Sequence, residues 1–216
     1  MRWCPALLLA VLPAACAATP FPAHEPVNDE RARSALVERL VPQPAAATVV
    51  QRWILERRGS EFFFTLYLRV SPPDSLKIAV LSDLGGTLAE ATSAAGEVEV
   101  TRQSRLLRDR VVAALLRDLE PLFLPAAPDQ YELVRVGDRG ELALRLARHG
   151  QEVLLLDRLD SGTRIHCGED GRTRTIATVT GWRRAGGRPL GPAAFRLASE
   201  ESGYTATVEV VSWENG

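Results

Sequence analysis

"SEFFFTLYLRV", Ser60 to Val70, decides the fold class. Successive side chains of an extended strand point to opposite faces, so residues two apart share a face. Phe62, Phe64, Leu66, Leu68 and Val70 fall on one side of this stretch, and Glu61, Thr65, Tyr67 and Arg69 on the other. That is a strand with one buried face. Its neighbours repeat the pattern. "VVQRWILERRG" precedes it, and "SLKIAVLS" follows with Leu76, Ile78 and Val80 in alternation. "GGTLAEAT" and "GEVEVTR" come next. The breaks are short and hold Pro, Asp and Gly, too short for parallel crossovers, so the strands form an antiparallel meander.

Further on the periodicity changes. In "SRLLRDRVVAALLRDLEPLFLP", Leu107, Val111, Leu115 and Leu119 recur every four residues, with Val112 and Leu116 beside them. This is an amphipathic helix, which Ser104 caps and Pro121 stops. Strands then resume through "QYELVRVG", "ELALRLARHG", "QEVLLLDRL", "GTRIHCGED", "RTRTIATVTGW", "AAFRLA" and "GYTATVEVVSW". Upstream, "DERARSALVERLV" reads as a short helix capped by Asn28 or Asp29, with Ala32, Leu36 and Leu40 on one face and Pro42 at its end. The expected fold is mainly β, with about ten strands and two helices.

The N-terminus carries a different signal. "MRWCPALLLAVLPAACA" has an early Arg2, a short apolar run and then small residues, the pattern of a secretory signal peptide. The run is shorter than the roughly 20 residues a membrane-spanning helix needs. Two cleavage readings stand. Ala14 and Ala15 before Cys16 form a lipobox, with Pro13 where Leu is usual, and Cys16 then receives lipid. Alternatively, Ala15-Cys16-Ala17 is a small-x-small site for ordinary signal peptidase. Residues 17–28 carry three prolines and little pattern and read as a tether. The expected organisation is a signal peptide over 1–15, a lipidated N-terminus and tether over 16–28, and one domain over 29–216.

The chain of 216 residues is long enough for a real core, and its net charge of −1 gives no footprint for nucleic acid. Cys4 lies in the leader and Cys16 at its end, so Cys167 has no evident disulfide partner. A Cys167–His166 dyad fails on geometry, since neighbours on a strand face opposite ways. His24, His149, His166 and Cys167 lack metal-ligand spacing, and phosphate-loop and nucleophile-elbow patterns are missing. The sequence therefore implies no cofactor, no metal and no enzyme. A hydrolase built on His166 is the weakest of the readings.

The residues also carry a family resemblance. "VLSDLGGTLAEAT", Val80 to Thr92, resembles a segment of LolB-like outer-membrane lipoproteins that reads roughly (T/S)-x-P-L-G-x-T before an alternating strand. "GYTATVEVVSWEN", Gly203 to Asn215, is similar to that family's closing strand. The helix start Leu106 to Asp109 and the closing "GY" strand look closer to LolB-like lipoproteins found beside aryl-polyene biosynthesis genes. The resemblance implies an incomplete antiparallel barrel whose helices cover the concave side of a curved sheet. It implies an apolar cavity for acyl chains, for which Phe62, Phe64, Leu66, Leu68, Leu76, Ile78 and Val80 are the lining candidates. Leu84 matches the family's membrane-insertion loop, with Asp83 in place of the preceding proline. The expected function is a lipid-anchored protein facing the periplasm from the outer membrane. It would take acyl, lipoprotein or polyene-lipid cargo, with a periplasmic donor as a possible partner. The competing expectation is an assembly lipoprotein with a solid core and no ligand.

Overall fold

The computed structural model describes residues 19–43, 45–148, 150–158 and 162–215. Cys16 and the leader lie outside these residues. One short strand and one helix come first, β1 (His24–Pro26) and α1 (Glu30–Leu40). A five-strand meander follows: β2 (Ala47–Arg57), β3 (Ser60–Ser71), β4 (Ser75–Ser82), β5 (Thr87–Ala94) and β6 (Glu97–Gln103). Helix α2 (Asp109–Phe123) separates it from β7 (Glu132–Val136), β8 (Glu141–Arg148), β9 (Gln151–Arg158) and β10 (Gly162–Glu169). The last strands are β11 (Arg172–Ala185), β12 (Arg188–Ser199) and β13 (Tyr204–Asn215).

All strands belong to one antiparallel sheet in the order β1-β7-β8-β9-β10-β11-β12-β13-β2-β3-β4-β5-β6. The sheet has thirteen strands rather than about ten. Each of the twelve alternating segments forms a strand of its own, and β1, hidden among prolines, adds the thirteenth. The C-terminal strand joins the two meanders: β13 pairs with β12 on one side and β2 on the other, with Asn215 opposite Ala47. Two edges stay open. At one, β1 is flanked by Pro22 and ends in Pro26; at the other, β6 carries Glu97, Glu99 and Arg102. Proline and charge both discourage a further strand from pairing there.

The sheet curves around α2, which packs on β4, β5 and β6 from one half and on β10 and β12 from the other. Helix α1 sits on the same side, against β7, β8 and β12. The concave face holds the main core, where Val111, Val112, Leu115, Leu116, Leu119 and Leu122 of α2 meet the inward rows of the strands. The alternation read from Ser60 to Val70 holds from Phe64 onward, but Phe62, close to the rim, is 37% exposed.

The cap of α1 is as expected, and both ends of α2 differ from expectation in an informative way. Asp29 does cap α1, its Oδ1 accepting from Ala32 N at 3.0 Å. Ser104 does not cap α2. Its hydroxyl accepts from the amides of Leu106 and Leu107, closing a turn four residues before the helix starts. Pro121 does not stop α2 but lies inside its last turn. Only one backbone bond is lost there, and Leu122 and Phe123 gain burial in the core.

A second, smaller core lies on the convex face, where Val134, Val136, Ala143, Leu154 and Leu156 are covered by Phe21. Where the sequence reads as a tether, residues 19–26 are laid across the sheet. Phe21 N donates to Gly171 O, Thr173 N donates to Thr19 O, and β1 pairs with β7. The ring of Phe21 occupies the place a Cβ would take at Gly168, 2.2 Å from it.

Gly191 plays the matching part on the inside. A Cβ there would lie 2.3 Å from the ring of Trp213, which stacks on Phe123 of α2. Gly191→Ala is expected to cost about 1–3 kcal/mol through forced repacking, read by chemical denaturation. An unchanged unfolding midpoint would show that Trp213 swings clear without loss.

Candidate functional site

Six of the seven lining candidates meet on the concave face, and they are sealed. Phe64 is 3% exposed and Leu66, Leu68, Leu76, Ile78 and Val80 are fully buried. A relay of aromatic rings crosses the interior: Trp53 stacks on Phe64, Phe195 meets Trp53 edge-on, and Phe123 bridges Phe195 to Trp213. In the described residues the concave face is thus filled by α2 and these rings. The inward apolar rows are core in this conformation.

A groove of about 700 Å³ lies at one mouth of the curved sheet, beside α1. Val37 and Val41 at the end of α1, Pro72–Pro73 in the β3–β4 turn, and Pro125–Pro128 after α2 give it apolar walls. Arg33 and Arg188 stand among them. Arg33 Nη1 donates to Pro128 O at 2.9 Å, and Arg188 pairs with Glu38 at 3.4 Å. Few contacts hold α1 over this mouth. Leu36 and Leu40 are the buried residues of the helix, Ala32 and Val37 pack half-buried on the core, and the other ties are the Arg33–Pro128 hydrogen bond and ion pairs such as Arg39–Asp157 at 2.9 Å. Exposed pairs of this kind contribute about 0–1 kcal/mol each.

Polar groups inside the core fix α2 more firmly. Asp118 lies on the apolar stripe of the helix and is 2% exposed. Thr175 Oγ1 of β11 and the Tyr204 hydroxyl of β13 each donate to one of its carboxylate oxygens at 2.6 Å. Burial pushes the Asp118 carboxyl up from its ordinary value, against the pull of these two donors and of Arg174. Two residues on, Glu120 accepts from Ser93 of β5. The helix is therefore tied to both halves of the sheet. The sequence reading passed over Asp118, although a lone carboxylate in register with Val111, Leu115 and Leu122 was a visible signal.

The remaining sequence candidates are dispersed. Cys167 faces the inner core and His166 the outer face, between Leu154 and Ile176, so no thiol–imidazole pair forms. Burial pushes the Cys167 thiol up to about 12. Burial and the nearby Arg164 and Arg158 push His166 down to about 4. Leu84 is 98% exposed in the β4–β5 loop. Leu106, before α2, is 67% exposed. Among the described residues no cluster of side chains has the composition of a metal site, and no helix is long and apolar enough to cross a membrane.

No family model and no curated protein matches the chain. Solved structures do. A LolA superfamily protein from Nitrosomonas europaea superposes with a TM-score of 0.50 at 10% identity, covering 85% of this chain and 93% of that one. The chain thus has the fold of that LolA superfamily protein. A putative outer membrane lipoprotein-sorting protein domain from Vibrio parahaemolyticus gives 0.43 at 10% identity over 85% and 89% of the two chains. A DUF1329 family protein from Desulfovibrio piger gives 0.47 at 10% identity over 85% and 92%.

Two measurements check the electrostatics. A carboxyl raised by burial stabilises the fold fully below its unfolded value of 3.8, and loses that contribution as pH climbs through its folded value. Asp118→Asn should therefore remove part of the stability lost as pH rises above 3.8, leaving the variant at least as stable as the parent at neutral pH. A less stable variant at neutral pH would mean that the ionised carboxylate is a net support. In a chain starting at Ala17, Cys167 should resist a thiol reagent at pH 8 until the protein is denatured; rapid reaction of the native protein would mean that the core opens there.

Proposed function

We propose that this protein works by binding and not by catalysis: it takes the apolar chain of a lipid-like cargo at the mouth beside α1. The observation that carries this reading is the groove of about 700 Å³, apolar along its walls and closed by a helix with two buried residues. That volume falls in the range of ordinary ligand pockets. Each methylene buried contributes about 0.8 kcal/mol, so a long chain is held without charge contacts. Displacement of α1 would extend the groove toward the inward rows from Phe64 to Val80. The LolA-type fold supports the reading, and the aryl-polyene link in the resemblance makes a polyene lipid a cargo to test beside simple acyl chains.

The same proposal places the protein at the outer membrane, facing the periplasm and anchored through a lipidated Cys16. Cys16 precedes Thr19 by three residues, at most about 11 Å of chain. Thr19 is bonded to Thr173 and Glu200 at the rim formed by the β10–β11 and β12–β13 turns. The register puts the β4–β5 loop, with Leu84 at its tip, on that same rim. Anchor and exposed leucine would thus meet the membrane together. The α1 groove lies at the opposite rim, where a periplasmic donor could reach it.

A second reading, an assembly lipoprotein with no ligand, draws support from the sealed interior. A fluorescent fatty acid separates the two. Saturable binding by the chain, weakened about tenfold or more in Val37→Asp with the fold intact, supports the carrier. No uptake, together with a clean mass of the protein isolated from cells, supports the scaffold.

A further inference from the structure

The outer face of the sheet carries a cluster the proposed function does not use. Arg164 of β10 stands opposite Thr178 of β11, which stands opposite Arg196 of β12. Across β9, Arg164 faces Leu156, and Arg158 projects from the same face two residues on. His166 lies one step along β10 on that face. Neighbouring strands are about 4.8 Å apart, so Arg164 and Arg196 are about 10 Å apart at the backbone, close enough for their side chains to lean together over Thr178.

We propose that Arg164 and Arg196, on either side of Thr178 and beside His166, bind a phosphoryl-type anion on the convex face.

The charge count favours this class of ligand. Arg158 Nη2 is paired with Glu141 at 3.1 Å. Among the described residues Arg164 and Arg196 make no ion pair, and Glu209, diagonal to Arg196 across β12 and β13, is the acidic neighbour an anion would have to outcompete. A phosphoryl group is anionic at neutral pH, and its oxygens can accept from more than one guanidinium at once. Guanidinium groups present paired donors in the geometry phosphate oxygens accept. Arg158 Nε, Arg164 Nε and His166 Nδ1 are also buried without a hydrogen-bond partner among the described residues.

Of the neighbouring carboxylates, one is engaged and one is not. Glu152 pairs with Arg145 and His24. Glu209 of β13 stands opposite Ala194 and Arg52, one register step from Arg196. Asp160, in the β9–β10 connection, lies outside the described residues. Burial first, and then the charges of Arg164 and Arg158, hold the His166 imidazole below its ordinary value.

The test is calorimetry of the mature chain with inorganic phosphate at pH 7, with the His166 imidazole followed by NMR. One saturable site is expected, weakened about tenfold or more by Arg164→Gln and by Arg196→Gln. Bound phosphate should raise the His166 titration midpoint by about one pH unit at constant ionic strength. Vesicles of phosphatidylglycerol, compared with free phosphate, tell a lipid headgroup from a soluble ligand; either result upholds the phosphoryl site. Three outcomes overturn it: no saturable binding, binding that both glutamine variants leave unchanged, or an equal His166 shift in chloride. A His166 that titrates near 6.5 without phosphate, and falls in Asp160→Asn, gives the cluster to Asp160 instead and likewise overturns it.

Discussion

The seating of α2 in the concave face is the contact on which the rest of the structure depends. The sheet is open, so no hydrogen-bonded seam holds its two ends around a common centre. The helix supplies that link by packing. Its apolar girdle touches β4–β6 on one side and β10 and β12 on the other. Apolar packing alone tolerates sliding and rotation. The buried Asp118, with donors from β11 and β13, and Glu120, with Ser93 of β5, restrict the helix to one rotation and one depth. A buried carboxylate that loses its donors is costly, which makes these bonds selective even where their net contribution is modest.

Much of this architecture was legible because the strands are half-buried. Alternation along Phe64–Val70 and Leu76–Val80 reports the inner face directly, and the four-residue spacing from Leu107 to Leu119 reports α2. What stayed hidden has identifiable causes. Prolines around β1 disguise a strand, since they deny ladder donors while an edge position excuses the loss. Ser104 precedes a helix without capping it, because a turn intervenes. The filled state of the interior was not legible at all: an inward apolar row reads the same whether it lines a cavity or meets a helix. Only the aromatic relay from Phe64 to Trp213, drawn from five separate segments, distinguishes the two. The groove at α1 was equally out of reach, since its walls come from α1 and from loops far apart in sequence.

The faces of the sheet are put to unlike uses. The inner face is apolar and closed around α2. The outer face is mostly wet, apart from the small core under Phe21 and the arginine cluster beside it. Docking of residues 19–26 across this face matters for the proposed anchor. A lipid held at Cys16 would act on the body of the protein through a few residues of slack, so the domain would keep a preferred orientation at a membrane.

The position of β13 has a consequence for how the chain comes to be folded. β13 follows both meanders in the chain and lies between β12 and β2, so the two meanders remain unjoined until β13 has been made and has paired with both. Pairing of Asn215 with Ala47 closes a loop of nearly the whole described chain, and long closures of this kind make folding slow. A chain still emerging from a ribosome or a translocation pore has no complete sheet to lock it. The same topology that stabilises the finished domain keeps the unfinished one threadable.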